Sequence, residues 1–126
     1  MKILVAVAVG GMLGAVGRYI LSLYTLRLFG DGFPWGTFAV NFLGSVAMGV
    51  LFETLTSRWQ IGPELRNLIT VGFLGSFTTF STFSLEVVQL FERGLLITGL
   101  FYVVASVVLC VLGLFVGLSL MRAVPI

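Results

Sequence analysis

The chain has 126 residues, of which 59% are hydrophobic and 10% are charged, and its mean hydropathy is +1.16. A soluble domain of this length could not bury so much apolar surface, so the composition predicts an integral membrane protein. The sequence contains no histidine and one cysteine, which excludes internal disulfides, zinc sites and Cys/His catalysis. The net charge of +2 comes from basic residues scattered at the ends of apolar stretches, so no nucleic-acid partner is expected.

Apolar segments follow one another along the chain with short polar turns between them. A membrane-spanning helix needs roughly 20 mostly apolar residues. We predict an all-α fold with four such helices, over residues of about 3–28, 35–56, 63–91 and 95–121. Together they form a single four-helix membrane domain that covers residues 1–126.

The basic residues give the predicted bundle little preference for one orientation. If the spans alternate, one side carries Lys2, Arg58, Arg66 and Arg122. The other side carries Arg27 and Arg93, with Arg18 added if its side chain reaches that interface. Such a weak bias predicts dual topology, and two oppositely inserted copies could pair as an antiparallel homodimer.

The third segment contains the most unusual stretch of the chain. Residues 72–84 read GFLGSFTTFSTFS, with six hydroxyl side chains and two glycines where a membrane helix is usually aliphatic. One continuous helix would leave no face for lipid, so the stretch is enclosed by protein or lines a watery path. A broken helix would free carbonyls suited to sodium and amides suited to anions, whereas a gentle kink packed by hydroxyls is the alternative.

Several polar and aromatic side chains allow both a structural and a functional interpretation. Asn41 in the second helix could form an interhelical hydrogen bond or donate to a permeating anion. Phe80 and Phe83 lie one turn apart and could either pack or present their positively polarised ring edges to an anion. Tyr102 and Ser106 share a face of the fourth helix, where they could extend a hydroxyl track or bond across helices.

Arg18 and Glu86 are the charged residues predicted nearest to the membrane interior. Such residues are functional candidates for which a partner should be named. Arg18 could extend to the interface, or pair with Asp31 or Glu86, and the sequence leaves these alternatives open. The chain has no nucleotide-binding loop and no acidic residue in the middle of a span, which is consistent with passive conduction.

Motifs in the first three predicted helices resemble those of one known family. The run GSFTTFSTFSLE over residues 75–86 is preceded by GTxxVN, which ends at Asn41, and by GGMLGAVGRY over residues 10–19. In the length of the chain and the order of these motifs, the sequence resembles the bacterial fluoride channels of the Fluc (CrcB) family. The resemblance implies four helices per subunit, the third broken mid-membrane, and an antiparallel dual-topology homodimer in the bacterial plasma (inner) membrane.

The function implied by the resemblance is passive, selective export of fluoride, which relieves fluoride toxicity. Hydrogen fluoride enters as the neutral acid and dissociates inside, and the anion then leaves through the channel. The implied partners are fluoride, sodium, membrane lipid and a second copy of the chain.

The resemblance also implies roles for individual residues. Phe80 and Phe83 would contact fluoride through their ring edges, and Asn41 would be the pore asparagine. The implied polar track consists of Ser81, Thr82, Tyr102 and Ser106. A structural sodium ion at the dimer interface would be held by the backbone carbonyls of Gly75 and Thr78 of both subunits. Ser76 stands where other members often have a second glycine, which should matter little because carbonyls coordinate the ion.

Two other functions remain open. A small dual-topology four-helix exporter of drugs or cations would need a carboxylate within the membrane to exchange protons for its substrate. The first predicted helix has no acid, and Glu53, Glu86 and Glu92 lie near helix ends. A non-transporting membrane assembly subunit would use the Phe-rich run only as an interface.

Overall fold

The computed structural model describes residues 1–124, which form helices joined by short turns and contain no strand. The elements are α1 (Lys2–Phe29), α2 (Trp35–Glu53), a π-helical segment (Thr54–Arg58), α3 (Pro63–Asn67), a second π-helical segment (Leu68–Leu74), α4 (Gly75–Phe77), α5 (Phe80–Glu92) and α6 (Leu96–Ala123). The last two positions of the predicted domain, 125 and 126, lie outside the described residues.

Residues 1–124 contain four helical stretches that are long and apolar enough to cross a membrane, as the sequence predicts. Their bounds are Lys2–Phe29, Trp35–Arg58, Pro63–Glu92 and Leu96–Ala123. The protein is therefore a multi-pass membrane protein. The stretch Pro63–Glu92, here called the third span, contains α3 and α4 before Thr78 and Thr79 and α5 after them.

Helix α1 and the third span touch backbone to backbone through glycines. A methyl group at Gly10 would overlap the carbonyl oxygen of Leu68, and one at Gly14 would overlap the carbonyl oxygen of Phe73. Small residues allow membrane helices to approach this closely, and the approach supplies the van der Waals contact that holds such helices together. The glycines spaced four apart in the sequence thus lie at a helix contact.

Helices α2 and α6 meet in a second glycine-lined contact. A Cβ atom at Gly117 would lie 2.6 Å from the carbonyl oxygen of Val46, and one at Gly113 would lie 2.9 Å from the Val46 side chain. On the facing helix, a methyl group at Gly49 would overlap the backbone of Leu114. Beyond the apolar contact, Arg58 donates to the carbonyl oxygens of Met121 and Val124 and so links the end of the second span to the end of α6.

The backbone changes direction between α4 and α5. Thr78 has φ −83° and ψ 159°, and Thr79 has φ −153° and ψ 121°, so both residues are extended. Thr79 is the N-cap of α5, and its hydroxyl accepts from the amide of Thr82 at 3.2 Å. Threonine suits this position because its oxygen satisfies an amide that has no partner in the first turn of a helix.

Large apolar side chains cover the outer faces of α1 and α6 and are exposed in the single chain. Examples are Leu4 and Ile20 on α1 and Leu112 and Phe115 on α6. Since lipid tails are as apolar as these side chains, such faces suit contact with lipid or with other membrane helices.

Candidate functional site

Asn41 on α2 holds the extended residue Thr79 through two hydrogen bonds. The side-chain amide of Asn41 donates to the carbonyl of Thr79 at 2.9 Å, and the Thr79 amide donates to Asn41 Oδ1 at 2.7 Å. The structure therefore places the predicted interhelical hydrogen bond at the start of α5. An asparagine amide has two N–H donors, so one N–H of Asn41 is left over from this pair.

The hydrogen bonds made by the amides of Thr79 and Thr82 leave two backbone carbonyl groups of the third span without their helical partners. In a continuous α-helix the amide of Thr79 would bond the carbonyl of Gly75, and the amide of Thr82 would bond the carbonyl of Thr78. Here the Thr79 amide is bonded to Asn41, and the Thr82 amide is bonded to the Thr79 hydroxyl. Gly75 and Thr78 thus each lose the amide that a continuous helix would give their carbonyl oxygens.

Phe80 and Phe83 occupy different environments at the start of α5. The Phe80 side chain is 77% exposed in the single chain, whereas Phe83 is 8% exposed. Their ring centroids lie 5.5 Å apart, and the Phe83 ring meets the ring of Tyr102 in an edge arrangement with centroids 5.1 Å apart. The two phenylalanines therefore adjoin each other, with Phe83 fixed by α6 and Phe80 open on one side.

A groove of about 410 Å³, here called the central groove, runs beside these residues. Its wall includes Asn41, Thr79, Phe80, Phe83, Ser106 and Cys110, together with apolar residues of α2 and α6. The Ser106 hydroxyl is buried and has no hydrogen-bond partner among residues 1–124. A buried hydroxyl without a partner is costly, so Ser106 offers an available donor at this groove.

Glu86 is the centre of a hydrogen-bonded cluster between three helices. Thr37 on α2 donates to Glu86 Oε1 at 2.8 Å, and the hydroxyl of Tyr102 on α6 donates to Oε2 at 2.7 Å. Within residues 1–124 neither Glu86 nor Asp31 forms an ion pair with Arg18. Both oxygens of Glu86 are instead bonded to hydroxyl groups.

Two residues of this arrangement are not singled out by the sequence. Thr37 lies one turn before Asn41 on α2, and the i, i+4 spacing of two polar residues in an apolar helix could have indicated a shared inward face. Thr79 is one of several hydroxyl residues in its run, and no sequence signal distinguishes the one that reaches Asn41.

The hydroxyls of the predicted polar track are arranged at the first turn of α5. The Thr79 hydroxyl lies 3.1 Å from the Thr82 hydroxyl and 3.4 Å from that of Ser81. Tyr102 is bonded to Glu86 and Ser106 lies on the central groove, so the structure does not join all of these residues in one hydrogen-bonded chain.

A second groove, of about 360 Å³ and here called the loop groove, lies beside the connection between α1 and α2. Thr37, Thr82 and Glu86 line its polar wall. Asp31 and Arg93 also line it, and these two charged residues lie beyond the ends of α1 and α5.

Fold and site together define a class: a helical membrane protein whose polar groups meet at grooves on either side of an aromatic and hydroxyl cluster. Comparison with known proteins identifies the family. The family model described as "CrcB-like protein, Camphor Resistance (CrcB)" matches residues 5–118, and the chain belongs to this family.

Curated relatives match over nearly the whole chain. A "Fluoride-specific ion channel FluC" of Rhizobium etli is 50% identical over 117 residues, which are 93% of this chain and 94% of the relative. The protein of the same name from Rhodospirillum centenum is 51% identical over 97% of both chains. The one from Hahella chejuensis is 48% identical over 96% of this chain and 95% of the relative.

Proposed function

We propose that the protein is a passive, fluoride-selective channel of the bacterial inner membrane that exports fluoride and relieves its toxicity. The observation that carries this proposal is the similarity to proteins named as fluoride-specific ion channels, at about half identity over more than nine-tenths of both chains. A channel needs no catalytic group, and the protein is not an enzyme.

The central groove supports a pathway for a small, strongly hydrated anion. A pore must compensate the hydration of its ion at several sites without holding it too tightly. The spare N–H of Asn41, the free hydroxyl of Ser106 and the ring edges of Phe80 and Phe83 are weak electropositive groups of this kind. Fluoride would pass between them and along the hydroxyls of Ser81, Thr82 and Tyr102.

A proton-coupled exporter of cations is less well supported by the site. Such a transporter needs a carboxylate that is free to exchange a proton for its substrate. Both oxygens of Glu86 accept from hydroxyls, and Glu53 pairs with Arg122 at 3.0 Å near the ends of α2 and α6. We therefore assign no proton exchange to either residue.

The third span would be broken mid-membrane and bind a structural sodium ion there. Sodium is a hard cation that prefers oxygen ligands, and freed backbone carbonyls suit it. Gly75 and Thr78 fit this requirement because the amides of Thr79 and Thr82 bond elsewhere. The ion would join the two subunits and hold the break in place.

The working unit would be an antiparallel homodimer with dual topology. Phe80 adjoins the central groove yet is 77% exposed in the single chain, so one subunit leaves the wall beside this ring incomplete. A second copy would supply the missing wall and could bring a second set of freed carbonyls to the sodium site. The weak asymmetry of basic residues would allow the two copies to insert in opposite orientations.

Fluoride efflux from liposomes that contain the purified protein tests the proposed function. The liposomes are loaded with fluoride or with chloride, and release is followed with an ion-selective electrode. Rapid fluoride release without chloride release is the expected result. Equal release of both ions would exclude a selective pore, and no release from a folded, sodium-containing sample would exclude a homomeric fluoride channel. A merely structural membrane subunit would give the latter result.

A further inference from the structure

The loop groove lies where three helix ends reach the same end of the bundle. Helix α1 ends at Phe29, α2 begins at Trp35 and α5 ends at Glu92, and residues from all three helices or their flanking turns line the groove. Charged side chains and a tryptophan at helix ends are typical of the boundary between membrane and water. This groove therefore opens toward water.

A single layer of side chains separates the loop groove from the central groove. Thr79 lines the central groove and Thr82 lines the loop groove, and their hydroxyl oxygens are 3.1 Å apart. Phe83 lines the central groove and contacts Tyr102, whose hydroxyl is bonded to Glu86 on the wall of the loop groove. Polar groups thus continue from one groove to the other.

Two oppositely charged side chains stand at the outer part of the loop groove. Arg93 is exposed at the C-cap of α5, and Asp31 is exposed in the turn before α2. Within residues 1–124 neither takes part in an ion pair. Each charge therefore acts on the groove and on ions that enter it, with no partner in the described chain to neutralise it.

We infer that the loop groove is the second mouth of the ion pathway, at which Arg93 raises the local concentration of fluoride and Asp31 lowers it. The inference rests on the proposed function and adds to it an entrance and the roles of the two charged residues at its outer part. At a separation of several ångströms in water, one unit charge changes the local concentration of a monovalent ion about threefold. Reversing the charge of Arg93 would accordingly change it about tenfold.

The test measures fluoride release from liposomes at low fluoride concentration and low ionic strength, where entry limits the rate. In the proposed antiparallel dimer half of the loop grooves face the lumen, so we expect Arg93→Glu to slow total fluoride release toward one half, and Asp31→Asn to raise it about twofold, relative to the unmodified protein. Arg27→Glu is the matched control, because Arg27 is an exposed arginine in the last turn of α1 that does not line the groove. Its rate should change less than that of Arg93→Glu, because the Arg27 charge lies farther from the groove.

Screening and a conservative variant separate an electrostatic role from a structural one. In about 1 M of an impermeant salt the Debye length falls to about 3 Å, so the rate of Arg93→Glu should recover toward that of the unmodified protein. Arg93→Lys should keep the normal rate at low salt. Equal losses in Arg93→Lys and Arg93→Glu would assign Arg93 a structural role and overturn the inference.

The outcomes also distinguish this inference from the proposed function. If the unmodified protein releases fluoride and Arg93→Glu behaves like Arg27→Glu, the loop groove is not a mouth and the proposed function stands. If the unmodified protein releases no fluoride, the proposed function fails and the inference fails with it. Rates of Arg93→Glu and Asp31→Asn that change in the same direction would also contradict the assignment.

Discussion

Asn41 and Thr79 bond each other in both directions although they lie 38 positions apart on different spans, with N···O distances of 2.9 and 2.7 Å. This pair satisfies the backbone donor and acceptor of a residue that has left the helix, where an unpaired group would be costly in lipid. It also places the remaining amide hydrogen of Asn41 beside the central groove. One side chain thus supports the local backbone and contributes to the candidate pathway.

Replacements of Asn41 should separate these two contributions. Asn41→Ala removes both hydrogen bonds and should lower the free energy of unfolding by about 1–3 kcal/mol, because it leaves backbone groups unpaired. Asn41→Asp, which the apolar surroundings keep protonated, retains an oxygen that accepts from the Thr79 amide and an O–H that donates to the Thr79 carbonyl, but has no donor left for the groove. It should therefore fold better than Asn41→Ala and still conduct poorly. Thermal unfolding in detergent and fluoride efflux measure the two effects. An Asn41→Asp protein that conducts normally would contradict the donor role.

Replacement of Phe83 by isoleucine should slow fluoride release about tenfold. Isoleucine preserves an apolar side chain but removes the ring edge, which carries partial positive charge and is worth about 0.5–1.5 kcal/mol in aromatic contacts. Phe115→Ile on the exposed face of α6 is the control and should conduct normally. If both variants conduct alike, the Phe83 ring serves packing alone.

Replacement of Gly14 by alanine should disrupt the contact between α1 and the third span. The added methyl group would overlap the carbonyl of Phe73, and overpacking of this kind typically costs about 1–3 kcal/mol. Gly32→Ala is a suitable control, because a methyl group added there would have open space within 4 Å. Thermal unfolding should distinguish the two, and an unchanged melting temperature for Gly14→Ala would show that the contact can adjust.

Removal of sodium should destabilise the protein if the carbonyls of Gly75 and Thr78 hold the proposed ion. Exchange of sodium for N-methylglucamine, a cation too large for such a site, should lower the melting temperature and the fraction of dimer. Return of sodium should restore both. A melting temperature and dimer fraction that do not depend on sodium would show that the freed carbonyls have another partner.

Dual topology predicts that both termini are found on both sides of the membrane. Fusions of the C-terminus to a reporter active only in the cytoplasm and to one active only outside it should both give signal. Additional lysines at one end of the chain should shift the balance toward a single orientation. A strong signal from only one reporter on the unmodified chain would exclude dual topology.

Apolar composition predicts the number of spans in this protein, because the length of an apolar stretch decides whether a helix can cross a membrane. The first span is expected at about 3–28 and found at Lys2–Phe29. Contacts between spans are harder to predict. Which hydroxyl meets Asn41, and which residues bond Glu86, depend on how far each helix slides and rotates against its neighbours, and no local sequence signal fixes that register.

The sequence leaves open whether Arg18 extends to the interface or pairs with Asp31 or Glu86, and within residues 1–124 it forms no ion pair with either carboxylate. Thr37 and Tyr102 instead donate to the two carboxylate oxygens of Glu86. The i, i+4 spacing of Thr37 and Asn41 can indicate a shared inward face, but not that Thr37 bonds Glu86, because a threonine in a helix can instead bond its own backbone.

The glycine-lined contacts join the first span to the third and the second span to the fourth. During synthesis, α1 therefore enters the membrane before the third span has been made, and α2 enters it before α6 has been made. Gly49 on α2 remains without its counterpart until α6 has been inserted. The contact between these two helices can therefore form only after α6 has been translated, and a fragment that stops before α6 would present an unfilled backbone surface to lipid.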